Sequence, residues 1–303
     1  MRLSCLAFLI LNCFISSAQI KSVLIDSTSN LPIPYVNIWV ENENIGTTSN
    51  KKGVFKIENI KQDDKKILVF SSLGFEINKL LVSEIKDSIF LKPISISLDE
   101  VLITKKLNTK KLIVDKFKKS KSNSYILCSR KPWMFAKYFK YKSNYDNTPF
   151  IKSFTFLTNS KVKNAKFNIR LYEKNESGEP GNPIYEKNIF GYAKKGKHKT
   201  VVDISDLDFL IPKNGFFVVV EWLIIEENKS VETFTYEGAS KKHKADRYSP
   251  KFGLFPTEDQ TLTFHYSNAK WYKAWLNKED SKYTFKKFRN KYKLLAVELE
   301  LTN

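Results

Sequence analysis

The residues whose types could do chemistry are concentrated in a group of aromatic side chains near the C-terminus. Tyr266, Trp271, Tyr272 and Trp275 lie close together in the sequence, among asparagines and lysines. A sugar stacks its apolar face on an exposed aromatic ring while its hydroxyl groups meet amides and charged groups. The group therefore indicates a sugar-binding surface. Packing of the same rings into the core of a β-sandwich is the alternative.

The histidines and carboxylates predict no catalytic or metal site. His198, His243 and His265 lie far apart and lack the i, i+4 spacing of a metal-binding pair, and the first two fall in what we expect to be lysine-rich loops. Neighbouring ammonium groups disfavour a bound cation. We therefore expect a non-catalytic protein with no cofactor and no metal. A hydrolase remains an alternative, because sequence does not give the separation of two carboxylates.

The first 18 residues have the pattern of a cleavable signal peptide. Arg2 provides the positive charge, Leu6 to Ile15 the apolar run, and Ser16 to Ala18 the small residues before a cleavage site at Gln19. The apolar run is shorter than the roughly 20 residues that a membrane-spanning helix needs. We therefore predict export to the periplasm, the outer-membrane surface or the medium, with no transmembrane segment in the mature chain. Cys128 would then be the only cysteine, which excludes an internal disulfide.

The chain is strongly basic, with 51 lysines and arginines against 32 acidic residues and a net charge of +19. The excess is mainly lysine and is scattered, with clusters at 105–121 and 194–199, as on a solvated surface. An exported protein meets acidic glycans rather than nucleic acid. The charge therefore favours an anionic surface partner and argues against nucleic-acid binding.

Residues 19–104 have the pattern of about seven short strands separated by turns. Hydrophobic residues make up 42% of the chain, and Phe and Tyr number 23 and 14, a composition that favours strands. In the segment Tyr35 to Val40, apolar Val36, Ile38 and Val40 alternate with Tyr35, Asn37 and Trp39. This period of two predicts a half-buried strand. Gly53 follows two lysines in a hairpin-type turn, where a positive φ is expected.

An ordered series of motifs in this region resembles the carboxypeptidase-regulatory-like domain, a transthyretin-like sandwich that often precedes the plug of TonB-dependent outer-membrane receptors. The motifs are Pro34–Ile38, Gly46–Ser49, Gly53–Phe55, Phe70–Phe75 and Leu91–Pro93, and Leu98–Thr104 resembles the segment that closes the domain. The resemblance implies a seven-stranded folding or docking module without a carboxypeptidase site. The absence of His and Cys from residues 19–104 agrees with it. Asn50 departs from the family, which usually has an acidic residue in this turn.

Residues 105–124 form a basic connector in which Leu112, Ile113 and Phe117 are spaced as in a short amphipathic helix. From residue 125 to 303 the strand pattern returns and predicts a larger antiparallel, jelly-roll-like β-sandwich. Its segment Phe216–Ile225 is almost continuously apolar, as expected for a central strand covered on both faces.

The sequence as a whole predicts an all-β, exported, non-catalytic protein of the cell envelope with a binding or assembly role. Its partner would be an envelope protein or an anionic surface glycan. Two alternatives stay open: a glycan-binding module on the C-terminal sandwich, and a hydrolase with an active site that the sequence does not reveal.

Overall fold

A computed structural model describes residues 19–58, 60–61, 64–94, 106–128, 130–235, 241–278 and 285–303. The predicted signal peptide, its cleavage junction and the segment Leu98–Thr104 lie outside these residues. Among the described residues, no helix is both long enough and apolar enough to cross a membrane. Strands dominate both halves of the chain, which confirms the predicted all-β class.

The described part of the N-terminal domain has seven strands, in line with the roughly seven that the sequence predicts. They are β1 (Gln19–Asp26), β2 (Asn37–Val40), β3 (Gly46–Thr48), β4 (Val54–Glu58), β5 (Ile67–Ser71), β6 (Asn78–Leu81) and β7 (Ser88–Leu91). One sheet has the order β4-β1-β7 and the other the order β3-β2-β5-β6. The two sheets enclose a core that includes Leu24, Ile38, Phe55 and Phe70. Burial of such side chains, at roughly 1.5–3 kcal/mol each, is the main stabilising contribution.

The turn between β3 and β4 has the predicted conformation. Gly53 has a φ of 72°, and a Cβ at this position would lie 2.8 Å from the carbonyl oxygen of Leu24. The Asn50 side chain accepts hydrogen bonds from the backbone N–H groups of Lys52 (2.8 Å) and Val54 (3.2 Å). Asn50 therefore stabilises the turn as an aspartate would, which explains why the departure from the family pattern is tolerated.

The C-terminal domain contains fifteen described strands, all paired antiparallel. They are β8 (Lys111–Val114), β9 (Tyr125–Cys128), β10 (Met134–Phe139), β11 (Phe150–Ser160), β12 (Ala165–Lys174), β13 (Pro180–Pro183), β14 (Ile189–Ala193), β15 (Gly196–Asp203), β16 (Phe216–Trp222), β17 (Lys229–Thr235), β18 (Lys242–Thr257), β19 (Thr263–Ser267), β20 (Lys270–Lys273), β21 (Tyr292–Leu295) and β22 (Val297–Thr302). Short 3-10 turns occur at Val82–Glu84, Lys119–Lys121, Ser143–Asn147, Ser205–Leu207, Glu226–Asn228, Gln260–Leu262 and Lys286–Phe288.

Two sheets pack against each other around the main core. The first has the order β13-β12-β16-β10-β19-β20, with β14 also paired to β12. The second has the order β17-β18-β11-β22-β8, with β15 on β11 and with β9 and β21 on β18. Strand β16 is buried along its whole length, as the sequence predicts for a central strand. Phe216 and Trp222 face the main core, whereas Phe217 and Val219 pack on the opposite face of the sheet.

The connector contains a strand where the sequence predicts a helix, so that prediction is wrong. Lys111–Val114 is β8, which extends the second sheet by pairing with β22, and Leu112 lies opposite Leu301. Backbone N–H groups of Leu107 and Asn108 also donate to the Asn303 carbonyl. The apolar spacing fits a helix locally, but the edge of a strand nearly 190 residues away supplies better hydrogen-bond partners.

The C-terminal domain covers the outer face of β2. The alternation of this strand is confirmed, because Val36, Ile38 and Val40 lie in the N-terminal core. Asn37 and Trp39 on the other face are nevertheless 7% and 4% exposed. The predicted half-buried strand is thus buried on both faces.

Backbone contacts fix the two domains at this face. Thr48 donates its N–H to the Ile224 carbonyl (3.1 Å), and the Ile224 N–H donates to Thr48 Oγ1 (2.9 Å). Tyr35 packs with Leu223 and Ile225 in a small apolar cluster. The segment that follows β16 therefore holds the two domains together through hydrogen bonds and apolar contacts.

Candidate functional site

The four aromatic residues singled out from the sequence lie on or next to the β19–β20 hairpin. Asn268 and Ala269 form its turn with φ values of 52° and 60°. Tyr266 lies opposite Trp271, and His265 lies opposite Tyr272. Residues directly opposite each other share a face of a sheet, and successive residues alternate between faces. The hairpin therefore separates the predicted group into two pairs.

Tyr266 and Trp271 face the N-terminal domain. Their ring centroids are 5.1 Å apart, and the Tyr172 ring meets Trp271 edge-on at 5.7 Å. All three rings are half-buried and line a cavity between the two domains. Ser71, on β5 of the N-terminal domain, lines the same cavity as Tyr266.

Tyr272 and Trp275 lie on the other face, where they enclose His265. The imidazole stacks on the Tyr272 ring at 5.3 Å and meets the Trp275 ring edge-on at 4.5 Å. Tyr272 is 41% exposed and Trp275 is 58% exposed. Burial lowers the pKa of His265, whose Nδ1 has no hydrogen-bond partner among the described residues. The structure thus does not bring the four predicted aromatic residues into one surface.

The interdomain cavity has a volume of about 240 Å³. Trp39 of β2 lies on its N-terminal side, and Trp133, Tyr172, Tyr266 and Trp271 lie on its C-terminal side. Ligand sites occur preferentially at domain interfaces, with apolar walls and a few convergent polar groups. The volume is below the range typical of drug-sized ligands and suits a ligand of about monosaccharide size.

A buried charged network forms the polar part of this cavity. Glu221 of β16 accepts hydrogen bonds at Oε2 from Arg170 Nε (2.8 Å) and Asn168 Nδ2 (2.8 Å), and Arg170 Nη2 lies 2.7 Å from the same oxygen. Its Oε1 accepts a 2.5 Å hydrogen bond from Asn37 Nδ2 of the N-terminal domain. Thr48 donates to Asn37 Oδ1 (3.1 Å), which orients the amide. One carboxylate therefore joins β12, β16 and β2.

Strand register explains why these groups meet. Glu221 of β16 lies opposite Asn168 of β12 on one side and opposite Met134 of β10 on the other. Met134 also lies opposite Tyr266 of β19, and Tyr266 lies opposite Trp271 of β20. This row crosses five strands on the outer face of the first sheet. The cavity is the space between the row and the N-terminal domain.

The electrostatics of the cavity favour a charged Arg170. Burial by itself disfavours the guanidinium cation, but the adjacent Glu221 carboxylate, together with Tyr172 and Tyr266, outweighs burial and raises the Arg170 pKa above its ordinary value. Burial raises the pKa of Tyr172 and of Tyr266, so both phenols stay neutral donors. Arg170 is 4% exposed, and its Nη1 has no hydrogen-bond partner among the described residues. The cavity wall therefore includes a buried cationic group with donors to spare.

The three histidines occupy separate strands. His198 lies on β15 and His243 on β18, so the predicted placement of both in loops is wrong. His198 lies opposite Thr158 in one strand pair, and His243 lies opposite Phe234 in another. The lysine-rich sequence around each histidine does not reveal these partner strands. Within the described ranges, no group of three or more His, Cys, Asp or Glu side chains could hold a metal ion. Cys128 is buried.

Arg170, Glu221, Asn37 and Trp39 are among the cavity residues that the sequence prediction misses, as are Trp133 and Tyr172. Two of them carried a detectable signal. Glu221 lies in the apolar run Phe216–Ile225, and Arg170 lies between Ile169 and Leu171 in a second apolar strand. A charged residue in a strand buried on both faces needs an ionic partner. Opposite charges in two such strands therefore predict a buried pair.

The comparisons with known proteins concern the N-terminal domain. No curated protein matches the chain. Residues 20–103 match the family model described as CarboxypepD_reg-like domain. The resemblance of the N-terminal sandwich to the carboxypeptidase-regulatory-like domain is therefore confirmed over these residues.

Proposed function

We propose that this chain is an exported, non-catalytic binding or assembly protein of the cell envelope, and that it takes its ligand in the interdomain cavity. The observation that carries the proposal is this cavity of about 240 Å³, in which aromatic rings surround a buried arginine with an unpartnered nitrogen. Support for export comes from the signal-peptide pattern of residues 1–18. Support for an envelope role comes from the family match of residues 20–103.

The state of Glu221 supports a binding role over a hydrolytic one. It is the only carboxylate among the described residues that line the cavity. Both of its oxygens accept hydrogen bonds from buried donors. A glycosidase uses two carboxyl groups on either side of the bond that it cleaves, and its general acid must reach the substrate. Glu221 instead holds the two domains and Arg170 in place.

A glycan is the ligand class that the chemistry of the cavity favours. The half-buried Trp271 offers an apolar ring surface on which a pyranose ring could stack, and Trp39, which is 4% exposed, closes the opposite side of the cavity. Arg170 Nη1 and the neutral hydroxyl group of Tyr172 offer donors to sugar hydroxyl or carboxylate oxygens. An acidic sugar suits the chain better than a neutral one, because the net charge is +19 and Glu221 neutralises only Arg170, the cation with which it is paired.

Calorimetric titration of the full chain with glucose, N-acetylglucosamine, mannose and glucuronic acid tests the proposal. We expect at least one of these sugars to bind, and Trp271→Ala to weaken that binding at least about fivefold, since loss of a stacked ring removes more than about 1 kcal/mol. Trp275→Ala is the matched control, because Trp275 follows the same hairpin but lies outside the cavity. Equal losses in both variants, or no binding by any of the four sugars, would refute glycan binding at this cavity.

A further inference from the structure

A second concavity lies on the C-terminal domain, away from the domain interface. Segment 115–121, which follows β8, forms one wall, and β21 with the start of β22 forms another. The groove has a volume of about 460 Å³ and shares no lining residue with the interdomain cavity. Binding in this groove is therefore independent of ligand binding in the interdomain cavity, and each can be tested without the other.

The walls of this groove are apolar. Phe117 and Phe255 are half-buried, with ring centroids 5.7 Å apart, and Leu262 and Leu294 are half-buried beside them. Buried Val297 lies at the base. These side chains lie next to the protein core, but part of their apolar surface stays in contact with solvent. Such a surface is stabilised when an apolar ligand covers it.

The rim of the groove is cationic. Lys116, Lys118 and Lys121 are exposed, and none of them forms an ion pair within the part of the chain that the structure describes. The exposed Lys287 contacts the Lys121 carbonyl oxygen at 3.4 Å and adds a fourth ammonium group. Clustered cations without anionic partners repel one another and attract an anion.

The carboxylates beside the groove do not neutralise this rim. Asp115 lies 2.8 Å from the buried Nζ of Lys137, and Glu298 lies 2.5 Å from Nζ of Lys199. Each acidic group therefore already has a cation of its own. The positive charge of the rim therefore remains available to attract an anionic ligand.

We propose that this groove binds the acyl chain of a single anionic lipid, with the chain on the phenylalanine and leucine wall and a carboxylate or phosphate head group on the lysine rim. Apolar walls add nothing to the binding of a free inorganic anion, and the lysines add nothing to the binding of a neutral hydrocarbon. The groove is open to solvent, and its volume of about 460 Å³ suits one chain, whereas a bilayer surface would meet only the lysines at the rim. The net charge of +19 favours encounter with the anionic lipid.

Titration of the full chain with monomeric alkanoates and alkyl phosphates of increasing length tests the proposal. We expect dodecanoate and dodecyl phosphate to bind, with affinity rising by up to about fourfold per methylene until the groove is filled. Dodecyl maltoside, with a neutral head group, should bind at least about tenfold more weakly, since several ammonium groups lose their anion. Inorganic phosphate should not compete.

Charge reversal at the rim gives the second arm of the test. The variant Lys116→Glu/Lys118→Glu/Lys121→Glu should lose at least about tenfold in affinity for dodecyl phosphate. The matched control, Lys21→Glu/Lys51→Glu/Lys86→Glu, changes the net charge equally at exposed lysines of the N-terminal domain and should bind like wild type. Phe117→Ala should also weaken binding. Unchanged thermal melting of the two triple variants checks that both fold.

Several results would overturn the proposal. Equal losses in the two triple variants would show that overall charge attracts the amphiphile. Binding to phosphatidylglycerol vesicles without binding to monomeric dodecyl phosphate would indicate a membrane-surface interaction. Displacement of dodecyl phosphate from the rim by inorganic phosphate, or affinity that does not depend on chain length, would show that the apolar wall is not used.

Discussion

Removal of the Glu221 carboxylate is expected to destabilise the protein more than removal of the whole ion pair. In Glu221→Ala, the Arg170 guanidinium stays buried without its counter-ion, and the amides of Asn168 and Asn37 lose an acceptor. In the double variant Arg170→Met/Glu221→Met, apolar side chains of similar length replace both charges. The difference between the free energies of unfolding of the two variants separates the cost of an unpaired buried charge from the contribution of the intact pair.

The magnitude follows from the burial of the pair. The Arg170 and Glu221 side chains are 4% and 2% exposed, so solvent cannot replace the missing partner. Leaving one member of a buried pair uncompensated costs about 3–5 kcal/mol. Replacing both members with apolar groups is often neutral, although the orphaned Asn168 and Asn37 amides keep a cost of about 1–3 kcal/mol each. We therefore expect the single variant to be the less stable one.

Urea unfolding at neutral pH, followed by tryptophan fluorescence and by far-ultraviolet circular dichroism, measures both free energies of unfolding. The two probes together show whether the domains unfold in one transition. A loss below about 1 kcal/mol in Glu221→Ala would contradict the reasoning, because a buried unpaired guanidinium should cost more. A double variant that is less stable than Glu221→Ala would also contradict it.

Three further predictions concern local features. The pKa of His265 is lowered by burial from its ordinary value near 6.5, so the unfolded chain takes up the proton first as the pH falls. Stability should therefore decline below about pH 6.5 in wild type relative to His265→Phe, and parallel pH profiles of the two proteins would argue against it. Gly191→Ala should cost about 1–3 kcal/mol by overpacking, since the new Cβ would lie 2.2 Å from Cζ of buried Phe167, and an unchanged melting temperature would exclude such a clash. N-terminal sequencing of the protein from an envelope fraction should begin at Gln19, whereas a mature chain that still carries Met1 would refute export.

Local patterns in the sequence were sufficient for the N-terminal domain. Alternation in β2 and the turn at Gly53 depend on residues within a few positions of each other, and both are confirmed. The covering of Trp39 could not be predicted in this way, because the surface that covers it comes from the C-terminal domain, more than 90 residues later. The same reason accounts for β8, whose pairing with β22 replaces the predicted helix.

The candidate site was predictable in part. Sequence proximity indicated Tyr266, Trp271, Tyr272 and Trp275 as one group, but the alternation of β19 and β20 assigns them to opposite faces. A hairpin turn at Asn268 would have predicted this separation. The contribution of Asn37 could not have been inferred, because it depends on how the two domains pack.

Binding of a ligand in the interdomain cavity can be followed through the indole signals of the five tryptophans. In a proton–nitrogen correlation spectrum of the full chain, the sugar that binds in the calorimetric panel should shift the indole signals of Trp39 and Trp271. The signals of Trp222, in the main core, and of Trp275, outside the cavity, should stay in place. A shift of the Trp275 signal with those of Trp39 and Trp271 unchanged would show that the sugar does not bind in the interdomain cavity.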